Sequence, residues 1–160
     1  MIKIEYNILN DNQLSVIDDF IKHFNPDEIP AKTTDGYRND YFKQRIELPE
    51  DITKKVKSVI NKHTNKGVEI MAAWLNKIDV NSNQDDDFHR DDTDMSFVIY
   101  PHHNFVGGEL ELRDNILPIE SNIGYIILHN VEHRVRKVTD GIRWSVAFFC
   151  QYSKETKNLI

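Results

Sequence analysis

The sequence predicts a mainly β protein with flanking helices, whose core is a jelly-roll, or double-stranded β-helix, with N-terminal helices packed on one sheet. Two segments before residue 67 repeat apolar residues at helical spacing, whereas the later part of the chain consists of short apolar runs separated by turn residues. Eight short strands at such intervals are typical of two sheets that face each other around a pocket. The length of 160 residues suits one domain.

The first part of the chain predicts a strand followed by a helix. Met1 to Asn7 is a short strand, and Asn10 or Asp11 is a suitable N-cap for the helix, which we expect Pro26 to end. The apolar residues of this helix recur at helical spacing, and they are Leu14, Ile17, Phe20, Ile21 and Phe24.

A loop, an extended segment and a second helix follow. Asp27 to Asp35 is rich in proline and small polar residues and is a candidate cover for the pocket, while Gly36 to Leu48 is expected to be extended. Pro49 stands in the first turn of the second helix, which we expect Gly67 to stop. The apolar stripe of this helix consists of Ile52, Val56, Val59 and Ile60.

From residue 68 onward the pattern is one of strands and turns. We expect residues 1–160 to form a single domain in which residues 1–67 support a jelly-roll core of residues 68–152. An acidic loop, Val80 to Asp87, leads to a strand end at His89. The other predicted strands are Val68–Asp79, Met95–Tyr100, Glu109–Arg113, Ile116–Glu120, Gly124–His129, His133–Val138 and Ile142–Tyr152.

Composition argues against several classes of function. The net charge is −6, from 26 acidic against 20 basic residues. This balance argues against a protein that binds nucleic acid by neutralising its phosphates. Cys150 is the only cysteine, which excludes an intrachain disulfide. No signal region or long apolar run opens the chain. We therefore expect a cytoplasmic protein in a reducing setting, without a membrane partner.

Two pairs of polar residues are candidates for chemistry because each pair is spaced by two. In an extended segment His89 and Asp91 leave the backbone on the same face, and a second histidine would complete the facial triad of two imidazoles and one carboxylate that binds iron. His129 and His133 are the alternatives for that histidine, whereas the neighbouring histidines 102 and 103 fall in a loop and are weaker candidates.

Arg143 and Ser145 form the second pair, with Trp144 expected to pack on the opposite face. A buried arginine needs an anionic partner, which is either a bound carboxylate held by the planar guanidinium or an acidic residue inside the protein.

The order of these motifs resembles a known family. Phe88-His89-Arg90-Asp91 is followed by Gly107-Gly108-Glu109-Leu110, then by Glu132-His133-Arg134-Val135 and by Gly141-Ile142-Arg143-Trp144-Ser145. This series resembles the 2-oxoglutarate and Fe(II)-dependent oxygenases, specifically the prolyl-4-hydroxylase-like branch with small phage and bacterial members. The resemblance covers roughly the last ninety residues of the chain. Glycines 107 and 108 are interpreted as architectural, since they permit a tight turn.

The resemblance implies a set of site residues and cofactors. It favours His133 over His129 as the third metal ligand, because the residues after His133 are similar to the family's distal histidine and its strand. The implied Fe(II) ligands are His89, Asp91 and His133. Arg143, Ser145 and Tyr100 would hold the distal carboxylate of 2-oxoglutarate, and Asn76 would replace a tyrosine that many members carry on the first barrel strand. Dioxygen is the second co-substrate, and ascorbate is an accessory reductant of such enzymes.

The implied activity is hydroxylation of a peptide or a free amino acid, with proline-containing peptides first. We expect a basic substrate, because five aspartates at positions 85, 86, 87, 92 and 94 place negative potential around the site. Asp91 argues against a halogenase, in which a small residue replaces the carboxylate ligand. Two alternatives remain: a catalytically silent jelly-roll that binds a metal or ligand, and a nucleic-acid demethylase, which the acidic surroundings disfavour.

Overall fold

A computed structural model of the chain describes residues 2–26, 31–32, 38–39, 42–82 and 87–154. Two helices and thirteen strands occur within these ranges. In chain order they are β1 (Ile2–Glu5), α1 (Asp11–Lys22), β2 (Ala31–Lys32), β3 (Arg38–Asn39), β4 (Phe42–Arg45), α2 (Glu50–Thr64), β5 (Val68–Asp79), β6 (Met95–Tyr100), β7 (Val106–Gly107), β8 (Leu110–Leu112), β9 (Ile116–Leu117), β10 (Ile123–Leu128), β11 (His133–Val135), β12 (Val138–Asp140) and β13 (Ile142–Tyr152). Neither helix is long and apolar enough to cross a membrane.

The strands form two facing layers. The larger layer is a six-stranded antiparallel sheet in the order β1-β10-β6-β13-β5-β4. The opposing layer contains the three-stranded sheet β11-β8-β9 and the strand pair β12-β7. Leu110 and Leu117 of the small sheet share a buried apolar cluster with Tyr100, Tyr125 and Ile127 of the large one. This arrangement confirms the predicted jelly-roll fold.

Side-chain alternation gives the large sheet two different faces. On β6, Met95, Phe97 and Ile99 join the apolar cluster that also contains the buried residues of both helices. Ile17 of α1 and Ile52 of α2 have no exposed surface in this cluster. Burying such a side chain contributes about 1.5–3 kcal/mol to stability, so the helices are held on this sheet face by their apolar stripes. The alternate β6 residues face the opposite way, into the space between the sheets.

The ends of the helices differ in part from the sequence prediction. Asn10, one of the two expected N-cap residues, caps α1, and Gln13 completes a capping box with it. The helix ends at Lys22, before Pro26, yet Phe24 still packs edge-on against Trp144 with ring centroids 5.0 Å apart.

The prediction that Gly67 stops α2 is wrong. Asn65 ends α2 instead, in the left-handed conformation with φ 55°, and asparagine adopts that conformation more readily than most residues. Lys66 and Gly67 then lead directly into β5.

In the second half, β7 was not predicted and several strand boundaries shift by one or two residues, with the largest differences at two places. The predicted strand His133–Val138 is divided into β11, which pairs with β8, and β12, which pairs with β7. The strand predicted from Ile116 to Glu120 is limited to the two residues of β9. In the first half, the extended segment contains β3 and β4, and most of the predicted covering loop lies outside the described residues.

Candidate metal and anion site

A cavity of about 100 Å³ lies between the two sheets and collects all seven site residues that the sequence suggested. They are Asn76, His89, Asp91, Tyr100, His133, Arg143 and Ser145. Apolar side chains form the remaining walls, among them Val98, Leu110 and Phe149. The cavity has a histidine and aspartate end and an arginine end, which are described in turn.

Backbone pairing brings the two histidines together. His89 and His133 form an isolated antiparallel bridge in which each backbone N–H donates to the other's carbonyl oxygen at 3.0 Å. Residues directly opposite in such a pair project to the same side, so the two imidazole rings lie with centroids 4.5 Å apart. The sequence predicted a strand end at His89, whereas the structure has a single bridge there. The bridge fixes the direction of the His89 side chain as a strand would.

Asp91 completes a cluster in which one ligand atom from each residue lies within 4.8 Å of the others. Its Oδ1 is 3.8 Å from His89 Nε2, and its Oδ2 is 3.5 Å from His133 Nε2. Ser96 donates its hydroxyl hydrogen to Oδ2 at 2.5 Å. Burial opposes ionisation of Asp91, but His133, the Ser96 hydroxyl and His89 together hold the pKa of this carboxyl below its usual range. The aspartate is therefore a carboxylate at neutral pH.

Backbone carbonyls orient both imidazoles. His89 Nδ1 lies 3.0 Å from the carbonyl oxygen of Asp87, and His133 Nδ1 lies 3.0 Å from that of Val131. A carbonyl oxygen only accepts hydrogen bonds, so each Nδ1 carries a hydrogen, and in the neutral form of each ring Nε2 then has the lone pair that a metal ion would bind. Such an arrangement is the usual support for metal-binding histidines.

The other candidate histidines lie elsewhere. His129 is exposed and is not a member of the cluster. His102 pairs with Asp18 of α1, with His102 Nε2 and Asp18 Oδ1 2.5 Å apart. His103 is exposed and stacks edge-on against Phe105. Of the alternatives left open by the sequence, only His133 lies beside His89 and Asp91.

Arg143 occupies the other end of the cavity and is 3% exposed. Its Nε donates to the Gly108 carbonyl oxygen at 2.8 Å, its Nη1 to Ser145 Oγ at 3.2 Å and its Nη2 to the Tyr100 hydroxyl at 2.7 Å. Among the residues that the structure describes, no carboxylate oxygen lies within 4.0 Å of its nitrogens. The alternative of an internal salt bridge is therefore not present there, and a buried positive charge faces the cavity.

The guanidinium is ready to bind an anion through two nitrogens. Arginine has five N–H donors and three are used within the protein, so one remains on each of Nη1 and Nη2. The hydroxyls of Ser145 and Tyr100 accept from Arg143, which leaves their own hydrogens free to point towards a ligand. These four donors suit a carboxylate, which accepts hydrogen bonds at both oxygens.

Asn76 lies on the same sheet face as Ser145, because the two residues are directly opposite in the pairing of β5 with β13. The sequence left this orientation open, and the register places the Asn76 amide on the cavity wall. Trp144 lies on the other face, in the cluster with the helices, as expected from the alternation along β13.

Two residues of the site were not predicted from the sequence. Ser96 lies four residues before Tyr100 on β6, so the two side chains share a sheet face. This spacing was the sequence signal that could have identified Ser96. Gly108 was interpreted only as a turn residue, yet a Cβ there would lie 2.8 Å from Arg143 Cδ. The glycine thus provides both space and a carbonyl acceptor for the arginine.

Charged residues of both signs surround the metal end. Among the five aspartates of the sequence pattern, 85 and 86 lie outside the described residues. Asp87 and Asp94 accept backbone hydrogen bonds from Phe88 and Tyr152, respectively. On the outer face of the small sheet, the guanidinium carbons of Arg113 and Arg134 lie 4.2 Å and 4.4 Å from the Phe88 ring centroid. The surface near the site is thus less uniformly acidic than the sequence suggests.

Known structures share this architecture. An oxidoreductase of the 2OG-Fe(II) oxygenase family from Burkholderia pseudomallei matches with a TM-score of 0.64 and 18% identity over 94% of this chain and 84% of that one. The viral collagen prolyl hydroxylase of Paramecium bursaria Chlorella virus-1, solved with 2-oxoglutarate, has a TM-score of 0.65 and 12% identity over 93% of this chain and 94% of its own. A Pseudomonas putida prolyl-4-hydroxylase has a TM-score of 0.63 and 16% identity over 95% and 93%.

No family model and no curated protein matches the sequence. The structural likeness nevertheless extends over nearly the whole chain, including the helices that the sequence resemblance did not cover. The chain therefore has the fold of the 2-oxoglutarate/Fe(II)-dependent oxygenases, in agreement with the resemblance found in its sequence.

Proposed function

We propose that this protein is an Fe(II)- and 2-oxoglutarate-dependent dioxygenase that hydroxylates a peptidyl or free amino-acid substrate. One observation carries the proposal: a cluster of two imidazoles and a carboxylate shares a cavity with a buried arginine whose charge has no carboxylate partner among the described residues. The first group suits a metal, and the second suits the anionic co-substrate. Their presence in one cavity links the two functions.

The residues of the cluster fit Fe(II). Two neutral imidazole nitrogens and one carboxylate oxygen on one side of an ion form the facial triad, which leaves positions open for a co-substrate and dioxygen. His89, Asp91 and His133 would hold the ion through Nε2, a carboxylate oxygen and Nε2. When bound, Fe(II) with 2-oxoglutarate and dioxygen supplies the oxidation, in which the co-substrate becomes succinate and carbon dioxide while a C–H bond becomes C–OH. Ascorbate would serve to keep the metal reduced.

Arg143 fits the distal carboxylate of 2-oxoglutarate. The two unused N–H donors lie on the two terminal nitrogens, and the Ser145 and Tyr100 hydroxyls add two more donors beside them. Asn76 stands on the adjacent strand and offers its amide to the same ligand. The protein's part in the reaction is to place one end of the co-substrate at the arginine so that the other end reaches the metal.

Apolar walls separate the two polar ends of the cavity. Val98, Leu110, Ile127, Val135, Ala147 and Phe149 line the cavity between its two polar ends. Apolar surroundings strengthen the electrostatic attraction between the buried Arg143 and a carboxylate.

We propose a proline-containing peptide with basic character as the first substrate to test. Support comes from the prolyl hydroxylases among the structural neighbours and from the five aspartates that flank the metal ligands in the sequence, whose field favours a cation where it outweighs that of Arg113 and Arg134. The cytoplasmic setting inferred from the single cysteine is part of this proposal. Exposed charges are screened over about 8 Å at physiological ionic strength, so the preference for a basic substrate should weaken as salt is added.

A peptide panel tests the substrate. Basic, neutral and acidic proline peptides, together with single-stranded nucleic acid, are incubated with the protein, Fe(II) and 2-oxoglutarate, and a mass gain of one oxygen is measured. We expect the basic peptides to gain oxygen fastest, and we expect the triple change of Asp85, Asp86 and Asp87 to asparagine to reduce this preference. Fastest oxidation of a neutral or acidic peptide would refute the electrostatic part, and oxidation of nucleic acid alone would refute the substrate class.

A further inference from the structure

The two carboxylate oxygens of Asp91 have different surroundings. Oδ2 accepts the 2.5 Å hydrogen bond from Ser96 and lies 3.5 Å from His133 Nε2. Oδ1 lies 3.8 Å from His89 Nε2, and no side chain or backbone N–H among the described residues donates a hydrogen bond to it. One oxygen is thus fixed by a strong hydrogen bond, while the other keeps its lone pairs for a ligand.

Ser96 is rigidly placed for this contact. It is 1% exposed and lies in the middle of the large sheet, where it pairs with Ile127 on β10 and with Phe149 on β13. Its neighbours Met95 and Phe97 are buried on the helix-covered face, so the backbone of β6 cannot rotate without disrupting that cluster. A serine hydroxyl buried at this depth requires a partner, and Asp91 provides it.

We propose that Ser96 is a positioning residue that keeps Asp91 a one-oxygen metal ligand, by holding Oδ2 so that Oδ1 alone coordinates. This inference rests on the proposed function. Carboxylates bind metal ions through one oxygen or through both, and the second mode adds a protein donor. In a facial triad the added donor would occupy a position that 2-oxoglutarate or dioxygen needs. The Ser96 hydroxyl therefore keeps the site open.

The proposal predicts an unusual combination of effects for Ser96→Ala. Removal of the hydroxyl frees Oδ2 to bind the ion, so affinity for the metal is kept or raised. Affinity of the metal-loaded protein for 2-oxoglutarate falls by about 10-fold, which corresponds to about 1.4 kcal/mol. Ser96→Thr keeps a hydroxyl and should restore wild-type behaviour. Ser82→Ala is the matched control, because Ser82 is also buried and hydrogen-bonded but does not line the cavity.

Two measurements on Mn(II)-loaded protein without oxygen test it. Infrared difference spectra with and without Mn(II), on protein carrying ¹³C at the aspartate side-chain carboxyls, report the separation of the two carboxylate stretches, which is larger for one-oxygen than for two-oxygen coordination. Calorimetry measures affinity for Mn(II) and then for 2-oxoglutarate. We expect a smaller separation and weaker 2-oxoglutarate binding only in Ser96→Ala.

An unchanged stretch separation and unchanged 2-oxoglutarate affinity in Ser96→Ala would overturn the inference. Loss of Mn(II) affinity without a change in 2-oxoglutarate binding by the loaded variant would also overturn it, because Ser96 would then support the metal site in general. If the wild-type protein binds Mn(II) but not 2-oxoglutarate, the proposed function fails, and the infrared comparison alone decides the role of Ser96. Absence of Mn(II) binding by the wild-type protein would overturn both.

Discussion

Replacement of Arg143 by lysine tests the co-substrate site, because it keeps the charge and changes only the geometry of the donors. The arginine makes three hydrogen bonds within the protein through different nitrogens and still has one N–H free on each terminal nitrogen. Lysine has a single nitrogen. It cannot reach the Gly108 carbonyl, Ser145, Tyr100 and a bound carboxylate at once.

The size of the effect follows from how the ligand carboxylate is held in each variant. Arginine binds the carboxylate at two points and lysine binds it at one, and a hydrogen bond to a charged group contributes about 1.5–3 kcal/mol. The affinity for 2-oxoglutarate should therefore fall by roughly 10- to 100-fold. The charge that attracts the anion remains, so binding should be weakened rather than abolished.

Succinate production at varied 2-oxoglutarate concentration measures this change, with circular dichroism to show that the variant is folded. Arg136→Lys is a suitable control, since Arg136 is an arginine on the outer face of the small sheet that contacts Glu109 and Glu111. We expect the control to resemble the wild-type protein. If the folded Arg143→Lys variant has an unchanged concentration dependence, Arg143 is a structural arginine and the assignment of the co-substrate site is wrong.

Three further predictions concern the third metal ligand, the glycine turn at Gly108 and a partly buried ion pair between Glu5 and His63. His133→Ala should lose most of its Mn(II) affinity in calorimetry, whereas His129→Ala should keep it, and the reverse result would exchange their roles. Gly108→Ala should weaken 2-oxoglutarate binding, measured by calorimetry on the Mn(II)-loaded protein, because the added Cβ displaces the Arg143 side chain. Unchanged 2-oxoglutarate affinity would refute this prediction. Glu5→Gln should lower the free energy of unfolding in urea at pH 7, because the hydrogen bond from His63 lowers the pKa of Glu5. A group with a lowered folded pKa contributes stability above its unfolded pKa and loses it as the pH falls through the folded one, so the difference between variant and wild type should shrink steadily on acidification. A difference that stays constant as the pH falls would refute this assignment.

Alternation along strands made much of the site predictable. Arg143 and Ser145 are two apart on a regular strand, and both side chains line the cavity as expected. The same rule placed His89 and Asp91 together although their segment is not a regular strand, because a single bridge to His133 aligns it. Local spacing therefore predicts which side chains share a face wherever one pairing partner fixes the backbone.

Features that depend on distant partners, or on competing local signals, were not predictable in this way. The end of α2 is set by the left-handed conformation of Asn65, and Gly67 two residues later was an equally reasonable stop signal. The division of His133–Val138 depends on which strands pair with each half. Gly108 gains its second role only when the fold brings Arg143 against it. In each case the outcome depends on residues far apart in sequence or on competing local signals.

Metal-dependent turnover of 2-oxoglutarate tests the central claim most directly. The purified protein, freed of metal, is supplied with 2-oxoglutarate and oxygen with or without Fe(II), and succinate is measured. We predict succinate only with Fe(II), and its loss in Asp91→Ala, which removes the carboxylate ligand from the cluster. Folded wild-type protein that forms no succinate with Fe(II), even in the presence of peptide substrates, and binds no 2-oxoglutarate would contradict the account.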